Sequence, residues 1–260
     1  IIIFFYNKDN IMYISIYRTF PGVFFCFLIA YAGIYLSSFI GNEVLDLNKS
    51  PISPIMLSII IGLLIGNITT IPSIFPEGIK FSLKFILRLG IICLGIRLGV
   101  LDILKVGVIG IPLIIACIII SILLVNYFCK LLDVPSKIGS LIAVGTSICG
   151  ASAIVATSPA INADKEEVTY AIANITIFGL LAMFVYPFLA HYLFDGDDLS
   201  VGLFLGTSIH ETAQVAGAGL IYSEQYNSPT TIDIATITKL VRNISMIVVI
   251  PFISYLYLKN

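Results

Sequence analysis

The chain has 260 residues, of which 58% are hydrophobic and only 11% charged, and its mean hydropathy is +1.06. An ordinary soluble domain carries about 25% charged residues, so the composition indicates a bilayer, not water, as the main solvent. Fourteen Lys and Arg against fifteen Asp and Glu leave neither a basic face nor an acidic tail, which excludes nucleic acid as an expected partner.

Residues 1–19 read as a poorly defined extension. Their apolar head precedes Asn7-Lys8-Asp9-Asn10, the wrong order for a cleavable signal, and is too short to span. The chain opens on Ile1 without a methionine and ends Leu258-Lys259-Asn260 with no obvious stop, which suggests a fragment.

Hydropathy then predicts about eight transmembrane helices, near 20–40, 54–69, 79–98, 103–130, 137–158, 167–193, 199–222 and 232–257. Turn-forming residues punctuate them: Asn48 to Pro51, Ile71-Pro72 with Phe75 to Gly78, Asp133 to Ser136, and Asp195 to Asp198. No gap holds a soluble domain, so residues 1–260 are read as one transporter domain. Cys26, Cys93, Cys117, Cys129 and Cys149 all sit in or beside apolar runs without a CxxC pair, which argues against disulfides and zinc.

Alternate loops carry Lys8, Arg18, Lys80, Lys84, Lys130, Lys137 and Lys259 on the N-terminal side, against Lys49, Arg97, Lys105 and Lys165 on the other. That bias favours a cytoplasmic N-terminus. Arg97 reads as an interfacial anchor, with Arg88 one turn after Lys84, and His191 as an interfacial residue at a helix end.

Two segments differ from plain lipid-facing helix. Gly145 to Ala156 and Gly206 to Gly219 each begin Gly-Thr-Ser-Ile within an apolar stretch. Small residues permit close helix packing, and hydroxyls can bond back to their own helix. Recurrence of the tetrad instead suggests two discontinuous helices, whose exposed amides and carbonyls hold ions near the midplane. Gly145, Thr146, Ser147, Ser152, Gly206, Thr207 and Ser208 are therefore candidate solute-binding residues.

The second segment adds His210, Glu211 and Gln214. At mid-membrane depth they would be protonatable or solute-contacting groups; near an interface they would be a satisfied polar cluster. In the last helix Thr236, Lys239 and Arg242 share a face. The cations either snorkel to the surface or, two to three turns in, bind an oxyanion. Asn174 and Thr176 either line the same cavity or join helices.

His210-Glu211-Thr212-Ala213-Gln214 falls one histidine short of the HExxH zinc motif, and no GxxxxGK[ST] loop occurs. An intramembrane hydrolase and a primary pump are therefore disfavoured, and neither a catalytic group nor a cofactor is expected. A non-transporting membrane scaffold is the remaining rival.

The chain resembles the YeiH-type family of bacterial membrane proteins, inferred sulfate exporters. The matching stretches are Ser50–Asn67, Gly90–Gly99, Gly145–Ala156, Glu166–Ala173, Gly206–Gln214 and Ala235–Arg242. The resemblance covers about Pro21 to Pro251 and implies a multi-pass carrier of the bacterial cytoplasmic membrane with inverted repeats and crossed broken helices. Its inferred label points to sulfate or a related small anion as solute, while the residues themselves offer two coupling ions: a proton through His210 or Glu211, or sodium on midplane hydroxyls and carbonyls. Family members continue for about two more helices of about 20 residues each, so the repeat is expected to be incomplete here. The resulting expectation is an all-α membrane protein that binds lipid and a small anion, with the oligomeric state left open.

Overall fold

A bilayer offers backbone N–H and C=O groups no solvent partner, so apolar runs this long must satisfy them internally as helix. The computed structural model describes residues 2–5, 12–44, 50, 52–96 and 100–259. Lys8, Lys49 and Arg97, which enter the loop charge bias, lie outside the described residues. Two compact units are distinguished, Ile1–Ile96 and Arg97–Asn260.

The first unit opens within residues 1–19, the stretch read as an extension ahead of the helices. Strands β1 (Ile2–Phe5) and β2 (Met12–Ser15) form an antiparallel hairpin with Ile2 opposite Ser15 and Phe5 opposite Met12. Helix α1 (Ile16–Phe39) follows and runs into a π-helical turn at Ile40–Val44. In α2 (Pro54–Ile68), Pro54 opens the first turn, and the Ser53 hydroxyl accepts from the Ile55 N–H at 3.3 Å. Helix α3 (Pro76–Phe81) continues through a π-helical turn, Ser82–Ile86, into α4 (Leu87–Ile96). Glycine sets the closeness of the α1–α3 crossing: a Cβ built on Gly22 would lie 2.7 Å from the Gly78 Cα.

The second unit opens with α5 (Val100–Leu131). Helices α6 (Ser136–Ser147) and α7 (Ala151–Thr157) divide the predicted 137–158 stretch. Helix α8 (Lys165–Leu193) starts where the Asp164 N–H donates to the Glu167 carboxylate at 2.8 Å. The predicted 199–222 stretch is likewise divided, into α9 (Asp198–Ser208) and α10 (Thr212–Tyr226). Helix α11 (Pro229–Ile244) bends by 41° at Ser245 into α12 (Met246–Lys259).

Buried apolar side chains hold this unit together: Leu141, Ile154 and Ile175 form one cluster, Val144, Ile148 and Ala153 another, and Val106, Leu203 and Ile237 a third. Among the described residues, three helices are long and apolar enough to cross a membrane: Tyr17–Glu43, Val106–Leu131 and Lys165–Leu193. The bent pair Pro229–Ile244 and Met246–Phe252 makes a fourth if it is one span. The divided stretches do not add to that count as single helices, because each half is only 7 to 15 residues long.

Candidate functional site

Both Gly-Thr-Ser-Ile tetrads stop their helices at the same residue, the serine: α6 ends at Ser147 and α9 at Ser208. The local cause is partly shared. Ser147 Oγ donates to the Ala143 carbonyl at 2.7 Å, and Ser208 Oγ donates to the Phe204 carbonyl at 2.6 Å. Each serine thus bonds back four residues, while Thr207 Oγ1 donates to the Leu203 carbonyl at 2.7 Å. These three hydroxyls are spent on their own helices, the packing use of such groups.

After the stop the two breaks differ. Gly150 takes φ +69°, a conformation open to glycine, and its N–H returns to the Gly145 carbonyl at 3.0 Å. In the second break Ile209 and Glu211 are extended, at ψ near 140°, and the chain bends at His210 and Glu211. The breaks touch: a Cβ on Gly150 would lie 3.7 Å from the His210 Cβ.

A helix C-terminus leaves its last carbonyls without intrahelical donors. Here α11 supplies the donors from two side chains that are 0% and 1% exposed, Lys239 and Arg242. Lys239 Nζ donates to the carbonyls of Ile148 (2.8 Å) and Ile209 (2.9 Å), one from each break. Arg242 Nε donates to the Ser147 carbonyl at 2.9 Å, Nη1 to those of Thr207 (2.7 Å) and Ile209 (3.4 Å), and Nη2 to that of Thr146. Two cations therefore clamp two helix ends, where the dipoles present partial negative charge. With three donors on a lysine and five on an arginine, one N–H on each is left over.

Close glycine contacts hold α11 in place for this task. A Cβ on Gly202 would sit 2.6 Å from the Ile234 side chain, and one on Gly206 would sit 2.6 Å from the Thr238 Cβ. Gly202-Leu203-Phe204-Leu205-Gly206 is a GxxxG pattern. Sequence reasoning passed over Gly202, although that spacing was available.

Beside the breaks lies a cleft of about 410 Å³. Thr146 and His210 line it from the two breaks, and α8 lines it with Asn174, Phe178, Val185 and Tyr186, among others. Tyr186 was not anticipated, though Phe178, Ala182, Val185 and Tyr186 recur at helical spacing. His210 Nδ1 and Gln214 Oε1 are buried atoms without a hydrogen-bond partner, while Gln214 Nε2 reaches the Thr176 carbonyl at 3.4 Å.

Glu211 is half-buried, within electrostatic reach of Lys239, and has no salt bridge within 4 Å among the described residues. Ser152 is exposed, hydrogen-bonds the Cys149 side chain in the first break, and does not line the cleft. Asn243, four residues beyond Lys239, donates to Thr212 Oγ1 at 3.2 Å and ties α11 to the first turn of α10.

His191 lies at the far end of α8, stacked on Tyr226 with ring centroids 3.7 Å apart, its Nδ1 3.1 Å from the Tyr222 hydroxyl. Among the described residues no group of three His, Cys, Asp or Glu side chains is placed to hold a metal ion.

Known proteins place this arrangement in a family. Residues 21–260 match the family model described as Conserved hypothetical protein 698. A UPF0324 membrane protein of Streptococcus agalactiae is 34% identical over 240 residues, covering 92% of this chain and 68% of the relative. A UPF0324 membrane protein of Fusobacterium nucleatum is 34% identical over 234 residues (90% and 65%), and one of Streptococcus pneumoniae is 32% identical over 237 (90% and 66%). The chain thus spans about two thirds of the length of these relatives. No solved structure matches it. With a matched family model over nearly the whole chain, apolar spanning helices and membrane-protein relatives, this is a membrane protein of the Conserved hypothetical protein 698 family, the YeiH-type UPF0324 proteins.

Proposed function

We propose that the chain forms the core of a secondary carrier, not an enzyme, that moves a small anion such as sulfate, a related oxyanion or an organic acid across a bacterial cytoplasmic membrane. One observation carries this reading: Lys239 and Arg242 are fully buried, and among the described residues neither has a carboxylate within 4 Å. Buried charge is costly unless compensated. The compensation here comes from carbonyls at two helix breaks, and such breaks mark ion and solute sites in carriers.

The adjoining cleft supplies the room, with His210, Thr146 and Asn174 as polar groups and an apolar wall from α8. The α10 N-terminus adds amide N–H groups that have no intrahelical acceptor. Lys239 and Arg242 act mainly through their field, since most of their donors are already engaged. In this reading each divided stretch crosses the membrane once, which gives the eight spans expected from hydropathy. The coupling ion is a proton or sodium.

The test is uptake of labelled sulfate, phosphate and short carboxylates by the full-length protein in liposomes, beside His210→Gln and Asn174→Ala variants. Saturable uptake of at least one anion is expected, with its KM raised about tenfold in the variants, the worth of one lost hydrogen bond to a charged group. Absence of saturable uptake for every anion, from a protein that is folded in the liposome, rejects the carrier of small anions.

A further inference from the structure

Glu211 sets how much positive charge the two breaks carry. Each helix C-terminus carries roughly half a negative charge and each N-terminus roughly half a positive one, so the ends of α6 and α9 offset no more than the starts of α7 and α10 add. The charge of the two cations remains. Among the described residues Glu211 is a carboxylate within reach of it: the residue directly precedes α10, is half-buried, and interacts electrostatically with Lys239 without a hydrogen bond to it. Its position at the start of α10 also places a negative group where an incoming anion would gain from the same helix N-terminus.

We propose that Glu211 is an internal counter-anion that competes with the transported anion, so that a proton on Glu211 and an anion in the cleft bind together. This rests on the carrier reading above and assigns its coupling ion. With Glu211 ionised, about one of the two positive charges is compensated and the break region holds an anion weakly. With Glu211 protonated, about two positive charges are uncompensated, which a dianion such as sulfate neutralises. Each anion bound then takes up one proton, and by linkage each proton bound strengthens the anion.

The neighbouring titratable groups do not serve this role. A proton on His210 would place a third positive charge within reach of Arg242 and Lys239. Cys149, at the α6 break and also within reach of Lys239 and Arg242, is buried against Met246, with its Sγ 3.2 Å from the Met246 Sδ. Lys239 has two carbonyls as partners and Arg242 four, acceptors that hold the protonated forms.

The experiment is titration of potassium sulfate into the full-length protein in sodium-free detergent solution between pH 5 and 8, with proton uptake followed in weak buffer. Wild type should bind with an affinity that falls about tenfold per pH unit above the titration of Glu211, taking up about one proton per sulfate where that group is ionised. Glu211→Gln should bind sulfate with a flat pH profile and no proton uptake, and Glu211→Asp should keep both dependences. A Glu211→Gln protein that retains the wild-type slope and proton uptake overturns the assignment while leaving the anion carrier intact. Sulfate binding by none of the three folded proteins, with phosphate and acetate equally inert, overturns the carrier reading and this inference together.

Discussion

At the residue scale, Lys239 and Arg242 show why a charged side chain can sit deep in an apolar chain without a carboxylate partner. Each guanidinium or ammonium N–H that reaches a terminal carbonyl satisfies two groups that would otherwise be orphaned. Spacing alone put both cations on one helical face, but the acceptors come from residues at least 30 positions away and could not be read from the sequence. Outside the spans, Asp197 gives a cleaner case. The Ser200 hydroxyl and backbone N–H hold its carboxyl below the usual carboxylate range, and the N–H distance is 2.8 Å. A depressed value means the ionised cap stabilises α9 above the unfolded carboxyl's value, and that contribution is lost as pH falls through the folded one. Asp197→Asn keeps the cap and should abolish that acid sensitivity, while Asp197→Ala should cost about 1 kcal/mol. Thermal unfolding in detergent between pH 5 and 3 separates the two.

At the scale of elements, breaking α6 and α9 at the same residue depends on a serine hydroxyl that bonds back and on the non-helical backbone of the residues after it, a positive-φ Gly150 in one case and extended Ile209 and Glu211 in the other. The repeated Gly-Thr-Ser-Ile made the two interruptions legible, and the helices do stop there. The role of the hydroxyls was less legible, because a serine that lines a cavity and one that bonds to its own helix look alike in sequence. Gly202 and Gly206 govern how closely α9 meets α11, and through α11 where the two cations lie. Gly206→Ala must push on the Ala235 carbonyl, 2.7 Å from the added Cβ, and should cost roughly 1 to 3 kcal/mol. Gly107→Ala, in α5 with nothing within 4 Å of its Cβ, should be neutral or slightly stabilising. A comparison of apparent unfolding temperatures decides it, and equal losses at both positions would remove the close-packing explanation.

At the scale of the whole molecule, the expected inverted repeat is tested by the direction in which the two divided stretches run. If each crosses once, single cysteines at Asp133 and Asp195 label from one side of the membrane and those at Asn162 and Asn227 from the other. If α6 and α7 instead turn back, Asn162 joins Asp133 and Asp195 changes sides. Labelling with an impermeant thiol reagent in a cysteine-free background reads this directly.

Composition and hydropathy by themselves determined that this chain is a helical membrane protein, because a bilayer imposes one dominant requirement, an apolar run with its backbone satisfied internally. The repeated tetrad and the family resemblance also located the two breaks. Only the tertiary structure decided what Lys239 and Arg242 hold, which of the polar residues meet at the cleft, and that Ser152 lies apart from it. Periodicity reports which face of a helix a residue occupies, whereas its partner depends on which other helix ends are packed against that face.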